Sequence, residues 1–314
     1  MNNRLPNRSL TVTADGEPFP FSGRMRLRGE DNLSLFPALF TLELWNLPEE
    51  YDLRLYRTRR ISVSHDDACL ISGAISDVFR HPSRDGILTT VAVSLGLDLW
   101  ESVVSLTVPA GTLLSDTVRR ILASSGTGIP LLSFPDTDPA LPRGQSDFGR
   151  ASECIASVLL RHPVPSGVIP GAAAGSFPRA MLTPSGLMVV SATSIGATAH
   201  RADRLFRLTS ALSEFPPLAA DSASPDQWPQ DAIHITETDL TDVPAFAGGS
   251  LRNTPPLMIL SAAVSGWRPG QTVEVDCRDV HARGLITGRR VDADTGDGAW
   301  KCEMVCEVTP GSVF

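Results

Sequence analysis

Positive charge is scarce in this sequence: 27 Lys and Arg stand against 35 Asp and Glu, for a formal net charge of −8. That argues against a general nucleic-acid-binding surface, which neutralises phosphates with basic side chains. It does not exclude an aqueous passage through which DNA moves without adhering. No apolar run approaches the roughly 18 residues of a membrane span. The opening stretch MNNRLPNRSLTVTADG has no apolar signal core and no cleavage pattern, so the expectation is a chain made and folded in the cytoplasm.

Cysteine is sparse and odd in number: Cys69, Cys154, Cys277, Cys302 and Cys306. A chain of 314 residues with five cysteines is not a disulfide framework. Cys302 and Cys306 lie four apart in a predicted strand and so share a face. They are read as buried free thiols, packing as small hydrophobes.

Motifs of chemistry are also missing. None of His65, His81, His162, His200, His234 and His281 falls in a paired ligand spacing. There is no G-x-S-x-G, no Walker A and no Rossmann fingerprint. His65 stands beside Asp66 and Asp67, but between two strands, where a solvated turn is expected. Glu49 and Glu50 are assigned to a turn. In DADTGDGAWKCE, Asp292, Asp294 and Glu303 match the first, third and last positions of a calcium loop. Gly296 and Asp297 depart from the loop pattern and strands flank it, so it reads as a hairpin turn. No catalytic, cofactor-binding or metal-binding residue is assigned, and neither enzyme activity nor a cofactor is expected.

What the sequence has is alternation. FTLELWNLPEEYDL places Phe40, Leu42 and Leu44 on one face and stops at Asn46-Leu47-Pro48. RRISVSHDD, ACLISGAISDVFR and ILTTVAVSL continue with period two, the last two separated by the turn HPSRDG, so residues 9–100 read as strands. The period then becomes helical. Leu114, Val118, Ile121 and Leu122 share a face, with Thr112 a candidate N-cap and Gly126 a C-terminal stop. The short strand IPLLSF follows. A second helix is predicted in SDFGRASECIASVLLRH from Phe148, Ala151, Ile155, Val158 and Leu159, capped by Ser146 or Asp147 and ended by Pro163. PVPSGVIPGAAAGSFP reads as a loop, RAMLTPSGLMVVSAT as a hairpin turning at Pro184-Ser185-Gly186, and PPLAADSASPDQWPQD as a linker. RLFRLTSALSEF fits a strand or a short helix. The strands PLMILSAAV, QTVEVDC, RGLITGRRVDA and AWKCEMVCEV close the chain.

The two strand-rich ends resemble each other. Ile61 and Val63, Gly73-Ala74-Ile75, the turn Asp85-Gly86 and the strand Ile87 to Leu95 form one series. Val273 and Val275, Gly284-Leu285-Ile286, Asp297-Gly298 and Trp300 to Val308 form the other. The expected fold is α+β and β-rich: two related small antiparallel β-barrel or sandwich domains flanking an α/β middle region. The boundaries read as an N-terminal β domain over 1–104, a middle domain over 105–213, a linker over 214–232 and a C-terminal β domain over 233–314.

The order of these segments resembles the phage tail hub proteins, the baseplate hubs of contractile tails and related injection machines. The resemblance rests on LWNLPEEY, ISVSH and CLISGAISDVFR, then VPAGTLLSDTVRRILASSG, RGQSDFGRASECIASVLLR and LTPSGLMVV, and finally GWRPGQTVEVDCRDVHARGLITG. It implies a homotrimer whose paired β-domains form a pseudo-six-fold ring between a hexameric tail tube, or distal tail protein, and a three-fold central spike. It also implies a lumen for DNA without sequence-specific binding and a place in the baseplate of the virion tail. Some relatives in that family carry a fused peptidoglycan hydrolase; no paired-carboxylate domain is read in this sequence, so lytic activity is expected of a partner. A distal tail or tube-terminator protein is the alternative, followed by a carbohydrate-binding or hydrolase module.

Overall fold

A computed structural model of the chain describes residues 8–135, 138–162, 177–192, 232–247, 257–277 and 280–308. The stretch RLFRLTSALSEF and most of the Pro-rich loop and linker read from the sequence lie outside these residues. The N-terminal part runs β1 (Thr11–Ala14), β2 (Glu17–Phe19), β3 (Met25–Asn32), β4 (Ala38–Trp45), α1 (Glu49–Arg57), β5 (Arg60–His65), β6 (Ala68–Ser83) and β7 (Gly86–Leu95). The middle holds α2 (Leu97–Glu101), β8 (Val103–Val108), α3 (Leu114–Ser125), β9 (Leu131–Ser133), β10 (Gln145–Arg150), α4 (Ala151–Arg161), β11 (Phe177–Thr183) and β12 (Gly186–Ala192). The C-terminal part adds β13 (Ile233–Thr236), β14 (Ala245–Ala247), β15 (Leu257–Ala262), β16 (Thr272–Cys277), β17 (Val280–Asp294) and β18 (Trp300–Val308). Eighteen strands against four helices among the described residues make the fold α+β and β-rich, as the alternation implied.

The two ends repeat one plan. β5, β6 and β7 form an antiparallel meander with β4 beyond β7, and β16, β17 and β18 form another with β15 beyond β18. The registers coincide. Ile61 lies opposite Gly73, and Val273 opposite Gly284. The β6–β7 pairing slips by one residue after Ile75, and the β17–β18 pairing after Ile286. A bulge at the same point bends both long strands alike. Both glycines have the same cause. A Cβ on Gly73 would lie 2.5 Å from the Ser94 carbonyl oxygen, and one on Gly284 would lie 2.7 Å from that of Glu307.

The ends do not stand apart. β3 pairs with β4 on one side and with Gly288 to Asp294 of β17 on the other, joining both meanders in one 13-stranded sheet. The alternating apolar positions of both ends meet in a single core. Leu27, Phe40, Leu42 and Val91 pack in the same cluster as Val273, Val275, Cys302 and Met304. The middle region has its own core, where Val118 and Ile121 of α3 meet Ile155 and Val158 of α4 and Leu187 and Val189 of the β11–β12 hairpin.

Four local expectations need correction. Glu49 and Glu50 open a helix instead of lying in a turn. Only Asp52 and Leu55 of α1 are buried, too few for an apolar stripe, and the helix is favoured by acids in its first turn and by Arg54 and Arg57 in its last. Residues 145–150 are a strand, because β8 offers a partner edge, and Phe148 points outward at 82% exposure. The second helix therefore starts at Ala151, capped by neither Ser146 nor Asp147. Thr112 does not cap α3; its hydroxyl donates to the Pro109 carbonyl. Asp138 takes that role from 23 residues away, accepting the Ser115 N–H at 2.9 Å. Finally, β6 runs on through His81 and Pro82 to Ser83, so the turn is shorter than HPSRDG.

Candidate functional site

The structural feature most open to function is the seam where β3 crosses to β17. β3 alternates strictly at its start: Met25 and Leu27 face the core while Arg26 and Arg28 face outward. β17 sets carboxylates against them. Arg26 donates Nε and Nη2 to Asp292 at 2.8 and 2.9 Å. Arg24, just before the strand, donates to both oxygens of Asp294 at 3.1 and 2.8 Å and lies 4.6 Å from the Trp45 ring centre. Arg28 reaches Glu43, and Arg290 of β17 reaches Glu30 of β3. Such forked pairs fix geometry as well as adding energy.

One pair is buried. Arg289 is 2% exposed and donates to both oxygens of Asp31, at 2.9 and 2.7 Å. The same guanidinium donates to the Trp267 carbonyl at 3.1 Å and to the Leu70 carbonyl of β6 at 3.0 Å. It therefore touches both meanders. Burial alone would lower its pKa, but the charge and hydrogen bonds of Asp31 outweigh that and raise it.

The residues weighed for chemistry do not assemble into a site. Asp292 and Asp294 are engaged by arginines, and Glu303 accepts from Lys301 at 2.7 Å. Among the described residues no group of three or more His, Cys, Asp or Glu could hold a metal ion. His65 is tied down by the Ser9 carbonyl, 2.9 Å from Nδ1, and meets the Trp300 ring edge-on at 5.0 Å. Asp66 follows with φ 49°, a turn conformation. All five cysteines are free; Cys302 and Cys306 are fully buried. Burial pushes the Cys302 thiol up to about 12 and raises Cys306 too, so neither is a nucleophile at neutral pH. No described helix is long and apolar enough to cross a membrane.

No family model matches the sequence, and no curated protein does. Solved structures match over nearly the whole chain. A tail protein from Neisseria meningitidis MC58 superposes with a TM-score of 0.59 at 12% identity, over 96% of this chain and 98% of that one. The 43 kDa tail protein of prophage MuSo2 from Shewanella oneidensis gives 0.56 at 10% identity, over 97% and 99%. This chain has the fold of phage tail proteins. The E. coli c3393 protein, a type VI secretion system component with structural similarity to the T4 tail proteins gp27 and gp5, gives 0.52 at 12% identity, over 95% and 76%.

Within this tail-protein fold the seam is what the sequence reading missed. Its signal was present in the outward charges of MRLRGED and the matching VDAD, which only pair once the two strands are known to be neighbours. The seam also sets an acid limit on stability. Burial works against the Asp294 carboxylate, but hydrogen bonds from Arg24 and the Gly296 N–H, with the charges of Arg24 and Arg26, hold its pKa below the usual range. A lowered folded pKa means stabilisation that is complete above the unfolded value, about 3.9, and is lost as pH falls through the folded one. Asp294→Asn should cost about 1–3 kcal/mol at pH 7. In urea titrations from pH 7 down to pH 2, the gap to the parent should close as the pH falls below about 4. A gap that is constant with pH would show that the Arg24–Asp294 pair does not depend on charge.

Proposed function

We propose that the protein is a structural, non-enzymatic hub of a phage or phage-derived tail. It forms a homotrimer in which the two related β units of each chain supply six similar positions in a pseudo-six-fold ring. The ring joins a hexameric tail tube or distal tail protein to a three-fold central spike and leaves a lumen for DNA. We place the β units at 1–104 and 233–314, with the middle domain at 105–213 and the linker at 214–232. The observation that carries the reading is the repeat itself: the same strand order, register and bulge position at both ends of one chain. Two equivalent units per chain allow three copies to match a six-fold neighbour through closed cyclic symmetry. The negative net charge suits a passage that must not retain DNA.

The test is the absolute mass of the purified chain by size-exclusion chromatography with light scattering. A mass of three chains is expected. A mass of six favours a distal tail or tube-terminator protein. A single chain at every concentration removes the self-closing ring and favours a carbohydrate-binding module.

A further inference from the structure

The two β units differ in what covers one strand edge. In β17, the stretch after the bulge, Gly288 to Asp294, is covered by β3. In β6, the matching stretch from Asp77 to Ser83 pairs with β7 on one side only; its partner on the other side, β5, ends at Arg60 opposite Ala74. Among the described residues that edge has no neighbour. Phe79, the counterpart of Arg290, is 53% exposed.

The strand that would cover it is also identifiable. β3 lies beside β4, and β14 lies beside β15, the counterpart of β4. Leu39, Phe40 and Thr41 face Ser94, Val93 and Ala92 as Leu257, Met258 and Ile259 face Glu307, Cys306 and Val305. By that register β14 is a shortened β3. Its outer edge is the far end of the sheet and has no described partner.

We infer that β14 of one copy pairs antiparallel with the free edge of β6, at Phe79 to His81, in a second copy, reproducing between chains part of the β3–β17 pairing within one. This rests on the ring reading and names its contact. Transferring the β3–β17 register puts Phe79 opposite Ala247, Arg80 opposite Phe246 and His81 opposite Ala245. It also sets Pro82 against Pro244. Neither proline has an N–H, so the pairing ends there, as prolines end strand edges elsewhere. The interface is heterologous, one edge on a different edge, and such contacts build rings when the rotation closes. An uncovered strand edge is otherwise an aggregation hazard.

Disulfide trapping in the full chain tests this. Leu33 donating to Thr287 and Thr295 donating to Met25 mark the hydrogen-bonded pairs of the β3–β17 ladder. Phe79 and Ala247 then fall at a non-hydrogen-bonded pair, where Cα atoms approach to about 4.5 Å, within disulfide reach. Phe79→Cys with Ala247→Cys should give cross-linked dimers and trimers on mild oxidation. Each single variant should give none, and His81→Cys with Ala247→Cys, two residues out of register, should give several-fold less. A three-chain mass with no cross-link, or equal cross-linking by both pairs, overturns the edge pairing and leaves the ring reading standing. A single-chain mass without cross-link overturns both. Hydrogen exchange on the unmodified chain is an independent check. The Arg80 N–H, which points to the free edge opposite Phe246, should be protected in the trimer and exchange faster once it is diluted to single chains; fast exchange of that amide in the trimer overturns the inference.

Discussion

Asp31→Ala should lower the unfolding free energy by about 3–5 kcal/mol, because it leaves the Arg289 guanidinium buried without its counter-charge. The partner carbonyls of Trp267 and Leu70 accept hydrogen bonds from it but carry no net charge. Urea titration would show the loss as a lower midpoint at unchanged slope. The double variant Asp31→Leu with Arg289→Met should recover most of it, since paired buried charges are often replaceable by apolar side chains of similar volume. A loss below about 1 kcal/mol for Asp31→Ala would mean that water reaches the guanidinium and the pair behaves as a surface ion pair. Because Arg289 of β17 touches β3 and β6 as well as the segment between β15 and β16, the loss should also loosen the joint between the two β units.

Val91→Asp and Met304→Asp should each unfold the β core. The two positions are counterparts in the repeat, both fully buried, and both belong to the same apolar cluster. A carboxyl group forced into such a site shifts its pKa by several units, a cost on the order of 5 kcal/mol with the lost packing added. That approaches the whole stability of a typical domain. Both variants are expected in the insoluble fraction at 37 °C, or melting in one transition far below the parent. If Met304→Asp instead left a protease-resistant N-terminal fragment, the two β units would be separately stable and the shared cluster would contribute little.

How much of this was legible in the sequence varies with the range of the interaction. Phe40, Leu42 and Leu44 alternate because one face of β4 meets the core, and that needs only neighbours to read. The α3 face and its end at Gly126, with φ 69°, were equally local. The hairpin at Pro184-Ser185 was visible in its turn chemistry. What could not be read were choices made by distant partners. Phe148 sits at helical spacing from Ile155 but belongs to a strand, because β8 is there to receive it. The α3 cap comes from Asp138, beyond any local capping pattern. The seam was hidden for the same reason: its charges look like solvated strand faces until β3 and β17 are placed side by side. The repeat was readable as a pattern, but not that its halves share one sheet.

That shared sheet bears on how the chain is made. Asp31 and Arg289 are 258 residues apart. At the usual pace of a ribosome, β3 emerges roughly 13–50 s before the strand that covers it. Throughout translation the nascent N-terminal unit would display the bare edge of β3, and its apolar face would lack the C-terminal half of the core. Contacts this far apart in sequence form slowly, so the completed polypeptide still has a long closure to make after release. A folding helper that shields open strand edges would matter most in that interval, and a truncated translation product would be left with its sticky edge permanently open.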